Sequence, residues 1–315
     1  MGKIAFVFPG QGSQAVGMGK SLAEEHASIK EMLQQADERL GYSLTDIMFN
    51  GPEEKLTLTS NAQPALLAHS MAVLKRFEEE GIVPDFTAGH SLGEYSALAA
   101  AGAITYEDAV WAVHERGNLM EAAVPAGEGA MAAVLGMDRA ELEAAVAEVA
   151  ANGHVVAAAN FNCPGQIVIS GAKEGVEQAS ALLKEKGAKR VIPLNVSGPF
   201  HSPLMEPAAE KLRTVLDKAN IQSSRVPVIA NVDAQPVTEA EAIKENLVKQ
   251  LYSPVLWEDS VQALLDAGVD TFVEIGSGTV LSGLIKKVNR RVRTIAVSDE
   301  ESIVKAAAAL KEETQ

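Results

Sequence analysis

The chain has 315 residues, 47% hydrophobic and 22% charged, the balance of an ordinary globular protein long enough to build two cores. A formal charge of −15 excludes the broad basic face that nucleic acid or an anionic membrane would need, so an anionic ligand must be held locally. One cysteine, Cys163, excludes an intramolecular disulfide and a multi-cysteine metal site, and its setting from Asn162 to Gly165 reads as a turn with an inert thiol. Met1-Gly2-Lys3 leads into a short apolar strand rather than a secretory leader. No apolar run reaches membrane-spanning length, and the expected compartment is the cytoplasm.

In chain order, short apolar strands alternate with amphipathic helices, the pattern of an α/β protein with a mostly parallel sheet. Ile4 to Phe8 is the first strand, Pro9 to Gly19 a glycine-rich loop, and Ser21 to Leu40 mostly helix. A helix from Gln63 to Glu80 stops at Gly81 with Pro84 beyond it. A strand from Asp85 to His90 runs directly into a helix from Leu92 to Ala101, followed by a helix from Tyr106 to about Val124. From Gly127 to Leu194 the order becomes β-α-β-β-α-β, a ferredoxin-like unit, before α/β alternation resumes with strands near Val228 to Asn231, Thr271 to Ile275 and Thr294 to Val297. The expected fold is α/β: a large α/β-hydrolase-like domain over 1–126 and 195–315, interrupted by a ferredoxin-like small domain over 127–194.

The chemistry centres on Gly89-His90-Ser91-Leu92-Gly93. A bare G-x-S-x-G arises by chance in loops, but a strand before it and a helix after it make it a nucleophile elbow. There the glycines permit a sharp turn, Ser91 projects from the sheet edge, and the following helix offers a free N–H. The loop Gly10-Gln11-Gly12-Ser13-Gln14-Ala15 also fits a dinucleotide fingerprint, but the acidic strand end such a fold requires about 20 residues on is replaced by a charged helix. The loop is better suited to presenting backbone N–H groups to an oxyanion, with a plain turn as the alternative for Gln11.

Arg116 falls on the apolar stripe Ala109, Val113, Met120, Ala123 of its helix. A guanidinium there must meet acceptors, which leaves two readings: a structural ion pair with Asp or Glu, or a bidentate clamp for a substrate carboxylate. A serine nucleophile also needs a base. His26 and His69 read as surface or helix-face residues, His90 belongs to the elbow, His114 lies one helix face away from Arg116 and His154 starts a strand. His201, in a strand-to-helix loop, is the candidate. No acidic residue announces itself as a third member, so the orienting group can be a backbone carbonyl.

These residues sit in FPGQGSQ (Phe8 to Gln14), NAQPAL (Asn61 to Leu66), GHSLGEY (Gly89 to Tyr95), HERGNLM (His114 to Met120), NCPGQ (Asn162 to Gln166), GPFH (Gly198 to His201), QLYSPV (Gln250 to Val255) and EIGSG (Glu274 to Gly278). With these motifs in this order the chain resembles the malonyl-CoA:acyl carrier protein transacylases over nearly its whole length. The resemblance implies malonyl-CoA as substrate, holo acyl carrier protein as partner, no metal or bound cofactor, and ping-pong transfer through an ester on Ser91 in fatty acid biosynthesis. It implies His201 as base, oriented by the main-chain carbonyl of Gln250; an oxyanion hole from the N–H groups of Gln11 and Leu92; Arg116 on the malonyl carboxylate; and Asn160, Gln63, Met120 and Phe200 around the acyl group. An aromatic ring at the Phe200 position accompanies malonyl use, because it crowds an α-methyl branch. Asn61 departs from the threonine common in its motif without touching this chemistry. The alternatives are a serine esterase or thioesterase, which would deliver the acyl group to water, and a non-catalytic carrier-binding subunit. Because carrier proteins are acidic, docking calls for local basic patches, and the candidates are Lys286 and Lys287 on one side and Lys189 and Arg190 on the other, with solvated helix-end charges as the plainer reading.

Overall fold

A computed structural model describes residues 2–312. Among the described residues ten strands fall into two sheets: β1 (Lys3–Phe8), β2 (Phe86–Gly89), β3 (Gly129–Leu135), β4 (Val156–Cys163), β5 (Gln166–Ala172), β6 (Arg190–Pro193), β7 (Val228–Ile229), β8 (Pro236–Val237), β9 (Val269–Ile275) and β10 (Arg293–Val297). The larger sheet has the order β10-β9-β1-β2-β7-β8, parallel except at the β7–β8 edge. The smaller sheet, β4-β5-β3-β6, is antiparallel throughout.

Period-two burial builds the large sheet. Phe6 and Phe8 enter one apolar cluster while Ala5 and Val7 enter another on the opposite face. Each buried ring contributes about 2–3 kcal/mol relative to exposure. A third cluster, including Val134, Leu142, Ile169 and Leu183, lies between the small sheet and its two helices. The two sheets are stitched where β4 meets the chain at Val255: Phe161 N–H donates to the Val255 carbonyl at 2.9 Å, and Val255 N–H to that of Ala159 at 2.8 Å.

Several boundaries differ from expectation for physical reasons. The helix expected over Ser21 to Leu40 breaks at His26, whose extended backbone separates Lys20–Glu25 from Ala27–Leu40. The helix expected from Gln63 starts at Thr59 and takes Pro64 into its second turn, where the Ser60 carbonyl left without the Pro64 N–H meets His114 Nδ1 at 2.8 Å instead. It is buried on nearly all sides, so His69 is a core residue rather than a surface one: its Nε2 faces the Ser298 carbonyl at 3.2 Å, and burial lowers its pKa to about 4. Cys163 ends β4 and is buried, with its thiol pKa raised by burial. Among the described residues no helix is long and apolar enough to cross a membrane.

Candidate active site

β1 and β2 are paired with Phe8 opposite Gly89, so the glycine-rich loop after β1 and the elbow after β2 leave the sheet side by side at its carboxyl edge. The elbow works differently from the expectation. It is Ser91 itself, at φ 52 and ψ −107, that takes the strained turn, and neither Gly89 nor Gly93 has a positive φ. The glycines serve close approach instead: a Cβ on Gly89 would collide with the Gly93 carbonyl, and one on Gly93 with the Phe8 carbonyl. Helix Leu92–Ala100 is thereby drawn tight against the sheet, with the Ser91 hydroxyl at its N-terminus.

Ser91 Oγ lies 2.7 Å from His201 Nε2. The Nδ1 of His201 lies 2.8 Å from the Gln250 carbonyl, which can only accept, so the proton sits on Nδ1 and Nε2 is left to accept from the serine. Burial, with Arg116 second, lowers the His201 pKa to about 3, and the ring is a neutral acceptor at physiological pH. His201 is also held at a positive φ of 56. A serine, a neutral histidine and a carbonyl thus form a nucleophile–base–orienter chain without a carboxylate.

Arg116, 1% exposed, donates through Nη1 to Gln63 Oε1 at 2.7 Å and through Nη2 to Gln250 Oε1 at 2.8 Å and Ser91 Oγ at 3.1 Å. Its Nε finds no acceptor, and no carboxylate bonds it directly among the described residues, so the ion-pair reading is not the observed arrangement. The Tyr95 ring lies 5.5 Å from the guanidinium carbon. Burial pulls the Arg116 pKa below its ordinary value, yet a guanidinium stays charged at neutral pH.

A cleft of about 180 Å³ opens over these groups, lined in part by Gln11, Ser91, Met120, Asn160, Phe200 and His201. Gln63 lies behind it, its Nε2 on Met120 Sδ at 3.3 Å. The N–H groups of Gln11 and Leu92 meet no acceptor among the described residues, whereas the Ser91 N–H is taken by Asn231 Oδ1 at 2.8 Å. Gln11 lines the cleft and Leu92 directly follows Ser91, so both unpaired N–H groups belong to the two loops that leave the sheet beside the nucleophile.

A model of the acyl transferase domain family matches residues 5–308. The chain belongs to this family. It is 61% identical to the malonyl CoA-acyl carrier protein transacylase of Bacillus subtilis strain 168, covering 99% of each chain. The solved acyl carrier protein S-malonyltransferase of Vibrio cholerae superposes with a TM-score of 0.94 at 46% identity, over 96% of this chain and 99% of that one. A malonyl-transacylase solved in complex with a type II polyketide acyl carrier protein superposes with a TM-score of 0.94 at 45% identity, over 98% and 99% of the two chains.

In this acyl transferase Met120, Asn160 and Phe200 line the cleft, with Gln63 on Met120 and Arg116 on Ser91, and further residues join them. Glu94, 1% exposed, accepts from Gln250 Nε2 at 2.8 Å and from Asn231 N–H at 3.1 Å. Asn231 in turn bonds both Ser91 N–H and the Gly89 carbonyl, bracing the elbow. Gln11 Nε2 donates to Thr59 Oγ1 at 3.1 Å, which lies 2.8 Å from Ser197 Oγ in the loop leading to His201. The sequence signal at Glu94 points the wrong way, since an acidic residue in the first turn of a helix ordinarily faces solvent and complements the dipole. Asn231 carried none beyond ending a short strand.

The basic residues of the acyl transferase are only partly as expected. Lys286 Nζ is committed to the carbonyls of Val292 and Arg290, closing a helix end rather than facing solvent. Exposed Lys287 reaches Gln166 Oε1 at 3.1 Å, and Leu135 pairs with both Gln166 and Arg190, while Lys189 N–H donates to the Leu135 carbonyl. Lys287, on helix Val280–Val288, thus reaches the small sheet at β5, two strands from β6, which Arg190 begins.

Proposed function

We propose that this acyl transferase moves the malonyl group from malonyl-CoA to the phosphopantetheine thiol of holo acyl carrier protein in fatty acid biosynthesis. Ser91 attacks the thioester carbonyl as His201 takes its proton, the N–H groups of Gln11 and Leu92 hold the oxyanion, and His201 returns the proton to the departing CoA thiol. The carrier thiol then repeats the sequence in reverse on the Ser91 ester. The main-chain carbonyl of Gln250 keeps His201 in the required tautomer. Asn160, Gln63, Met120 and Phe200 bound the acyl group, with the Phe200 ring limiting its width. No metal or bound cofactor is needed, and the cytoplasm is the compartment such a partner implies.

The observation that carries this reading is Arg116: a buried guanidinium with no carboxylate bonded to it, 3.1 Å from the nucleophile, suits an acyl group that brings its own carboxylate. The same contact disfavours a general esterase, and the intact Ser91–His201 pair disfavours a non-catalytic subunit. We further read the two sheets as an α/β-hydrolase-like domain over 1–126 and 195–315 and a ferredoxin-like domain over 127–194; the antiparallel order β4-β5-β3-β6 supports the latter. Met1 and residues 313–315 lie outside the described residues.

The direct test is to mix the protein with malonyl-CoA and look for a malonyl ester on the Ser91 peptide, then compare its discharge by water and by holo carrier protein. Rapid discharge by the carrier with slow hydrolysis is expected, and the reverse order would make the protein a hydrolase.

We read Lys287, Lys189 and Arg190 as one basic patch and assign carrier docking to it. Reversing Lys287, or Lys189 with Arg190, to glutamate should raise the KM for carrier protein several-fold and leave acylation by malonyl-CoA unchanged. Added salt should weaken the wild type more than the variants. Lys286→Glu should instead lower stability, because it breaks the helix-end bonds. If both half-reactions slow together in the Lys287 variant, the patch is not the docking surface.

A further inference from the structure

The buried centre holds one cation and already contains one carboxyl group that the reaction does not use. Glu94 and Arg116 do not touch; the Gln250 side chain lies between them, its Nε2 on Glu94 Oε2 at 2.8 Å and its Oε1 accepting from Arg116 at 2.8 Å. Both charged residues are 1% exposed, and Gln250 is fully buried. The same Gln250 amide also donates to the Ser91 carbonyl at 2.9 Å, so the bridge is fixed in orientation and ties Glu94 to the nucleophile's own backbone. In the free protein Glu94 is the nearest carboxyl group able to balance Arg116. A bound malonyl carboxylate competes for that role, and one buried cation cannot balance two buried anions.

We propose that Glu94 is the exchangeable counter-charge of the Arg116 clamp: it takes up a proton when a malonyl carboxylate enters, and so couples acyl-group charge to proton binding. This rests on the malonyl reading above and deepens it. Glu94 is a positioning and charge-balancing residue, because it touches Gln250 and Asn231 rather than the acyl group. The surroundings permit the exchange. Burial raises the Glu94 pKa to about 7, against the bonds from Gln250 and Asn231 and the attraction of Arg116, with Asp233 adding to the rise. Of the other titratable groups here, Tyr95 on the same helix is pushed up by burial and stays neutral, and His201 is held down near 3. His90, also buried, is lowered by burial and bonds Asn162 Oδ1.

The proton balance is simple. Acylation turns a hydroxyl and a thioester into an ester and a thiol, with the serine proton leaving on CoA, so the chemistry itself neither takes nor gives a proton below the thiol's own pKa. The sign follows from a raised pKa: below about pH 7 Glu94 is already protonated and malonyl entry needs no proton, while above it entry requires uptake. The second-order rate of acylation by malonyl-CoA should therefore fall above that pH by up to about tenfold per unit, with no such limb for acetyl-CoA. Glu94→Gln keeps an acceptor for Gln250 and Asn231 but cannot titrate, and should remove the limb.

The experiment measures acylation rates with both thioesters from pH 6 to 9 in wild type and Glu94→Gln, together with proton uptake per Ser91 ester in weakly buffered solution. Uptake approaching one proton at pH 8 in wild type and none in the variant supports the inference. A limb that survives in Glu94→Gln, one shared by acetyl-CoA, or uptake unchanged in the variant, which would belong to His201, overturns it. Should the variant not fold, isotope-edited infrared spectroscopy of the wild type decides: malonyl-CoA should create a protonated glutamic acid band that shifts with ¹³C-glutamate, and its absence overturns the inference. Failure to form any malonyl ester would instead count against the proposed function.

Discussion

Ser91→Ala is expected to abolish the malonyl-enzyme ester altogether, and His201→Ala to slow acylation by about 10²–10⁴-fold, the usual contribution of a positioned general base. The two groups act as one unit: Oγ is 2.7 Å from Nε2, and neither does its work without the other. The double variant should consequently be no slower than Ser91→Ala alone, a grossly non-additive result that single-turnover measurements with malonyl-CoA would show directly. Both variants should stay folded, since Ser91 is only half-buried and the packing around His201 is set by the Pro199 to Ser202 turn, where Ser202 Oγ donates to the Pro199 carbonyl. Acylation that survived in folded Ser91→Ala would assign the nucleophile elsewhere and end the proposal. An unaffected His201→Ala would leave Ser91 without a base.

How much of this centre the sequence displays depends on whether a residue's role is set locally. Ser91, His201 and Arg116 are legible because each carries its signal within a few positions: a strand-to-helix junction, a loop after a strand, a charge on an apolar helix stripe. The β-α-β-β-α-β run is legible for the same reason, as its strands and helices alternate with clear turns. Glu94 is not, because an acidic residue in a helix's first turn ordinarily complements the helix dipole in solvent, and only the arrival of Gln250 and Asn231 from far along the chain buries it. The Gln250 side chain poses a similar problem. Its backbone role follows from a motif, but its bridging of Arg116 and Glu94 requires three elements to meet. His69 misled for a different reason: the Thr59–Glu78 helix is enclosed by neighbours, so it has no polar face against which an inward residue could be recognised. β7 falls inside the strand expected near Val228 to Asn231, but the two-residue β8 is too short for periodicity to mark and is defined by its pairing with β7 alone.

Arg116→Ala is expected to relax selectivity more than it lowers overall activity. Removing the clamp deprives a carboxylated acyl group of a charge-assisted contact worth about 2–5 kcal/mol when one partner of a buried pair is lost, while an acetyl group forfeits little. The ratio of malonyl to acetyl transfer should fall by roughly thirtyfold or more. Two effects must be separated from this. The variant leaves Gln63 Oε1 and Gln250 Oε1 buried without their donors, at about 1–3 kcal/mol each, so its unfolding midpoint should drop and rates should be compared well below it. Loss of the 3.1 Å contact from Nη2 to Ser91 Oγ also frees the hydroxyl, a change that acts on both thioesters alike and therefore cancels in the ratio. Arg116→Lys should recover only part of the selectivity, because one ammonium on a flexible stem cannot span Gln63, Gln250 and a carboxylate at once. Equal losses for malonyl and acetyl transfer in folded protein would make Arg116 a structural cation that serves Gln63, Gln250 and Ser91, and the preference for a carboxylated acyl group would have to come from elsewhere in the cleft.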